Sequence, residues 1–137
     1  MREPNPAALT IEVHREPLAV CRLDPHDAIP SWAVAAPFFS VSRTTDELSI
    51  VCASDRVPEE ITANRGWVAL KLRGVFDMSL VGLLLAVARP LAAAGVSIMP
   101  LATYDTDYVL VQVKQLDDAL AALRIAGHHV DDTIPPG

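Results

Sequence analysis

Apolar residues recur at three- and four-residue steps through Leu80, Leu83, Leu84, Val87 and Leu91, a spacing that gathers them on one side of an α-helix. The pattern predicts a helix that starts at Asp77 to Ser79, where short polar side chains accept bonds from unpaired amides, and stops at Gly95. Leu116, Ala119, Leu120 and Leu123 repeat the spacing, with Asp117 and Asp118 near a second helix start and Gly127 near its end. Between the helices, Val96 to Thr103 is strand-like but contains Pro100, which cannot donate to a ladder and so predicts an edge or a bulge. Tyr108 to Val113 alternates cleanly, with Val109, Val111 and Val113 on one face.

Upstream, Val68, Leu70 and Leu72 alternate with Trp67, Ala69, Lys71 and Arg73, the two-residue period of a half-buried strand. Leu9 to His14 and Leu18 to Leu23 read as strands with a tight connection at Arg15-Glu16-Pro17. A short helix is expected around Trp32. Strands at Phe38 to Ser42 and Glu47 to Ala53 are joined by a polar turn, and Val57 to Asn64 reads as a short helix with proline and acids in its first turn. His128 to Val130 adds a last strand. The C-terminal half therefore runs strand, helix, strand, strand, helix, strand, the ferredoxin-like order. The N-terminal half shows a shorter version with weak helices, and no residue-level repeat links the two.

Two blocks carry a family resemblance. Pro90 to Val111, preceded by the turn Gly-Val-Phe-Asp-Met-Ser-Leu and containing Thr-Tyr-Asp-Thr-Asp-Tyr between two strands, resembles an ACT domain; Phe38 to Cys52, FFSVSRTTDELSIVC, resembles its partner module. The likeness is to the paired ACT modules of small bacterial amino-acid-binding proteins and the related cytosolic arginine sensors of animal cells. It implies an α+β fold of two ferredoxin-like (βαββαβ) modules packed together, with antiparallel sheets and helices on one face. The expected division is residues 1–63 and 64–137.

The turn Gly74, Val75, Asp77, Met78, Ser79, Leu80 is the first candidate site. Gly74 permits close backbone approach, amides at a helix start can hold a carboxylate, and Asp77 can pair with an amine. The plainer reading is a glycine turn and an ordinary helix cap. Thr103, Tyr104 and Asp107 form the second candidate; by the resemblance they match positions lining the effector pocket, while by residue chemistry alone they make a polar hairpin. Asp77 and Asp107 together favour a cationic ligand group. Arg43 offers a carboxylate anchor or a solvated turn side chain.

Composition narrows the function. At 137 residues with 51% apolar side chains, the chain can bury a sizeable core. A net charge of −6 with scattered basic residues argues against nucleic acid. The N-terminus lacks the apolar run of a signal peptide, so a soluble cytoplasmic protein without a membrane partner is expected. Cys21 and Cys52 lack a Cys-x-x-Cys spacing and read as buried reduced thiols. His26, His128 and His129 lie at no recognised ligand spacing, so neither a metal nor another cofactor is expected. Phosphate loops, nucleophile elbows and zinc-protease helices are absent from the sequence. The expected function is a non-catalytic regulatory protein that binds a free amino acid between modules. A homodimer and a separate regulated protein are its expected partners. The alternative is a ligand-free interaction or oligomerisation module.

Overall fold

A computed structural model describes residues 8–74 and 82–135. The strands are β1 (Thr10–Leu23), β2 (Ser40–Arg43), β3 (Leu48–Ala53), β4 (Ala63–Leu72), β5 (Ile98–Ala102), β6 (Asp107–Gln112) and β7 (His129–Asp131); the helices are α1 (Leu83–Ala93) and α2 (Leu116–Ile125). Single 3-10 turns occur at Ser31–Val34, Ser54–Arg56 and Val113–Gln115.

The described residues of Met1–Arg15 and Val68–Pro136 form one compact unit, and Glu16–Trp67 form another. The expected boundary between residues 63 and 64 thus meets a discontinuous division, because the start of β1 pairs with β7 instead of staying with its neighbours in sequence. β1 and β4 each contribute one end to each unit. The two strands foreseen at Leu9–His14 and Leu18–Leu23 are one continuous strand. Thr10–Glu12 pair with β7 and Leu18–Leu23 with β3, so Pro17 falls outside both ladders and its missing amide hydrogen breaks neither.

In the larger unit the strand order is β7-β1-β4-β6-β5. From β4 onward it follows the predicted strand, helix, strand, strand, helix, strand order, with the start of β1 inserted beside β7. Val68, Leu70 and Leu72 of β4, Val109 and Val111 of β6, and Ile11 and Val13 of β1 share one core with Leu83, Val87 and Leu91 of α1 and Leu120 and Leu123 of α2. Alternate strand residues therefore meet both helical stripes, which places the two helices on one face. Pro100 lies in β5, the edge strand, where proline's missing donor is tolerated. The strand foreseen at Tyr108–Val113 ends at Gln112, and Val113 is exposed.

Both helices end in the same way. Gly95 takes φ 75°, its N–H donates to Ala92 O, and Val96 N–H donates to Leu91 O; Gly127, His128, Arg124 and Leu123 repeat the arrangement. These are paired 5→2 and 6→1 bonds that a left-handed glycine makes possible. The start of α1 differs from expectation. Gly82 has φ 94°, which a right-handed helix cannot include, so the described helix begins at Leu83; the expected start at Asp77 to Ser79 lies outside the described residues.

Pro90 sits inside α1 and cannot donate to the carbonyl of Ala86. His128 replaces that donor: its Nε2 donates to Ala86 O at 2.9 Å, and its Nδ1 accepts from Leu9 N–H at 3.1 Å. The two bonds together require a neutral ring with its proton on Nε2. Position 128 is thereby a brace between β1's approach, α1 and β7.

The smaller unit has the order β2-β3-β1-β4, with Ala19, Cys21, Ala33, Leu48, Ile50 and Cys52 at its core and Trp32 packed against them. The helix foreseen at Val57–Asn64 does not form. A 3-10 turn at Ser54–Arg56 and a bond from Ile61 N–H to Pro58 O replace it, and β4 already begins at Ala63. Arg65 holds this corner by donating to Ser54 O, Val57 O and Pro58 O. The resulting order is the same βαββαβ with each helix reduced to one turn.

Candidate functional site

In the larger unit, β4 ends at Leu72 and the chain reaches Gly74 at φ 116°, a left-handed conformation that L side chains rarely adopt. The turn joining β5 to β6 is self-contained: Thr103 N–H donates to Thr106 O at 2.8 Å, and the Thr103 hydroxyl donates to the same oxygen at 3.0 Å while accepting from Thr106 N–H at 3.2 Å. The Thr103 hydroxyl is therefore committed to the hairpin, as the plainer reading of this residue anticipates.

Thr106 connects the two candidate segments. Its side chain is buried, and its hydroxyl donates to the carbonyl of Leu72 at 2.7 Å, two residues before Gly74. One buried hydrogen bond thus fixes the β5–β6 turn against the end of β4. Asp107 is half-buried on the last rung, opposite Ala102, while Tyr104 stands 84% exposed at the tip. Lys71 lies over the Tyr108 ring, 5.9 Å from its centroid, on β4 and β6 residues that alternate with the helix-facing ones. Gly74, Thr103, Tyr104 and Asp107 are thereby brought to one end of the unit. Val75, Asp77, Met78, Ser79 and Leu80 lie outside the described residues.

The smaller unit carries the same turn. Thr44 N–H donates to Glu47 O at 2.9 Å, and the Thr44 hydroxyl accepts from Asp46 N–H and Glu47 N–H, both at 3.1 Å. Thr44-Thr45-Asp46 and Thr103-Tyr104-Asp105 are thus structural equivalents, a residue-level repeat that sequence reading missed. Its signal, Thr-x-Asp between two strands, is short and easily passed over. In this unit the surroundings are tied up internally. The Arg43 guanidinium donates to Pro25 O and, at 2.7 Å, to Asp27 O, and Arg22 donates to Asp46 O at 3.0 Å. Arg43 is therefore neither a free anchor nor a loose surface cation. The equivalent of Arg43 on the β5 edge is Ala102, which has no side chain able to do the same.

Titratable groups elsewhere are structural. Arg73 bridges Glu12 and Asp131, and Arg15 donates to Asp132. Two bonds from Thr133 and then Arg73 push the Asp131 carboxyl down to about 2. Burial alone would raise Glu12, but bonds from Arg73 and His14 outweigh it and hold the group below its ordinary value. Cys21 and Cys52 are free and buried on one sheet face; burial pushes the Cys21 thiol up to about 11 and raises Cys52 as well. Neither offers an activated thiolate. Among the described residues, no group of three or more His, Cys, Asp or Glu side chains is placed to hold a metal ion, and no helix is long and apolar enough to cross a membrane.

Two ferredoxin-like units of this strand order, with a glycine turn after the first strand of the larger one, match the ferredoxin-like modules of ACT proteins. The chain belongs to the ACT-domain family: the family profile matches residues 62–124, and a profile for a separate N-terminal domain matches residues 16–60. A protein of Agrobacterium tumefaciens is 33% identical with TM-score 0.88, covering 95% of this chain and 97% of its own. A Vibrio cholerae protein of unknown function, described as a possible transport protein, is 20% identical with TM-score 0.71, covering 88% of this chain and 91% of its own. The regulatory subunit of aspartate kinase from Thermus flavus is 12% identical with TM-score 0.63, covering 88% of this chain and 98% of its own. The last two likenesses bear on the fold alone. No curated protein matches the sequence.

Proposed function

We propose that this chain is a non-catalytic regulatory protein that binds a free amino acid at the end of the larger unit, between Gly74 and the Thr103–Asp107 turn. The observation that carries this reading is the buried bond from Thr106 to Leu72 O, which holds the exposed turn beside a left-handed glycine. Family membership and the fold shared with an aspartate kinase regulatory subunit support it. Backbone amides following Gly74 receive the carboxylate, and Asp107, with Asp77, receives the ammonium group. A neighbouring module, supplied by a second copy of the chain in a homodimer, closes over Tyr104. A ligand that prefers one arrangement of modules then shifts their population and reports its concentration to a separate regulated protein.

The test is a thermal-shift panel of the twenty free amino acids at millimolar concentration. Selective binding to the native state raises the melting temperature by mass action. A rise for one or a few amino acids, lost in Asp107→Ala, supports the reading. No rise across the panel, with the dimer intact, moves the function to a ligand-free interaction module.

A further inference from the structure

The two units repeat one layout and differ at a cavity in the smaller one. In each, a 3-10 turn follows the third strand of the βαββαβ order: Val113–Gln115 after β6 and Ser54–Arg56 after β3. In the larger unit Gln115 reaches the loop after α1. Its Oε1 accepts from Ser97 N–H and its Nε2 donates to Gly95 O, each at 3.1 Å. The carboxamide satisfies a donor and an acceptor of the loop.

Arg56 stands at the corresponding position of the smaller unit, and the corresponding loop is Ala35-Ala36-Pro37. Arg56 makes no bond to this loop. A cavity of about 500 Å³ opens instead, lined by residues 35–37, Glu16, Pro17 and residues 53–56. Three of its lining side chains, Ala35, Ala36 and Ala53, are small, and Pro37 leaves no amide hydrogen that needs a partner. Among the described residues, the side chains of Glu16, Asp55 and Arg56 make no hydrogen bond or ion pair. One rim thus presents a guanidinium and two carboxylates, none of them committed to another.

We propose that this cavity is a second binding site, for a small zwitterion bearing a carboxylate and an ammonium group. Arg56 takes the carboxylate through its planar pair of N–H donors, and Glu16 and Asp55 take the ammonium. A ligand with one charge engages only one side of the rim, so a zwitterion, which engages both, binds more tightly. The site stands apart from the one at Gly74: its residues all belong to the smaller unit.

The experiment is a ¹H–¹⁵N correlation spectrum of the full chain titrated with each of the twenty free L-amino acids, with L-alanine amide and N-acetyl-L-alanine as singly charged controls. One or more amino acids should move the Ala36, Ser54, Asp55 and Arg56 amides saturably, and the controls should not. Arg56→Gln, an exposed substitution that puts at this position the residue type bridging the larger unit, should weaken that binding at least tenfold. Amides of Gly74 and Tyr104 report the other site in the same spectra and should respond to their own ligand regardless of Arg56→Gln, so either site can fail alone. No movement at the cavity amides with any amino acid overturns the proposal. So does binding unchanged in Arg56→Gln, or binding of the controls as tight as that of the amino acids.

Discussion

Thr106→Val removes one hydroxyl and nearly nothing else, which makes it the sharpest probe of how the candidate site is built. The hydroxyl donates 2.7 Å to Leu72 O from a side chain only 7% exposed, whereas the bonds that Thr106 makes through its backbone to Thr103 remain available. Valine keeps the shape but leaves the Leu72 carbonyl without its donor, and stranding a buried acceptor costs about 1–3 kcal/mol. Because valine's methyl recovers some apolar burial, the expected loss is about 1–2 kcal/mol. For a chain of this size that corresponds to a melting temperature lowered by roughly 3–8 °C. Thr106→Ser keeps the donor and should lose about half as much or less, the contribution of one methyl group. Denaturant unfolding of the three proteins decides the matter, read at constant m-value. A loss under about 0.5 kcal/mol for Thr106→Val, or an equal loss for Thr106→Ser, refutes the view that this bond fixes the turn against β4. Where a ligand has been found, Thr106→Val should also weaken it several-fold while the fold persists.

Three further outcomes follow from the same structure. His128→Ala strands Leu9 N–H and Ala86 O together, so unfolding should lose about 2–4 kcal/mol; adding Pro90→Ala returns a donor to Ala86 O and should make the two substitutions less than additive in a double-mutant cycle. Asp131, Asp132 and Glu12 are all held below their ordinary pKa values, so folding favours their ionised forms. Their contribution is present above the ordinary carboxylate range and disappears as the pH falls from about 4 toward 2. Chemical denaturation across that window should show a steep loss, flattened in Arg73→Gln. Arg43→Ala frees the Pro25 and Asp27 carbonyls and, because the bonds are exposed, should cost only about 1 kcal/mol; a cost above about 3 kcal/mol would show a larger role for that guanidinium than its two bonds explain.

The helical and strand periodicities were legible wherever one face is buried. Val68, Leu70 and Leu72, the α1 stripe Leu83, Val87 and Leu91, and the α2 stripe lie in one core because each pattern matches its element's repeat. What escaped was set by contacts distant in sequence. Pro17 reads as a breaker, yet no strand pairs with it through β3 or β7, so β1 continues. Gly82 falls within the span of the expected helix, off its apolar stripe, and only its φ of 94° shows that the helix begins after it. His128 reads from sequence only as the start of a last strand, until Ala86 and Leu9, far away in the chain, are seen to need its two nitrogens. At the candidate site, the Thr103–Asp107 turn was recognised as a polar hairpin. The buried Thr106 bond that ties it to the end of β4 was not, since a threonine's bond to a carbonyl on another strand leaves no local pattern. Arg43 could not be assigned from sequence for the same reason: its acceptors are backbone carbonyls, which every residue has.

The most direct test of the central claim is calorimetric titration of the chain with each free amino acid, repeated on Asp107→Ala. The account predicts saturable heat for at least one amino acid and a dissociation constant at least tenfold weaker in the variant, about 1.4 kcal/mol of binding free energy. No saturable heat for any amino acid up to millimolar concentration, or an affinity indifferent to Asp107, would contradict it.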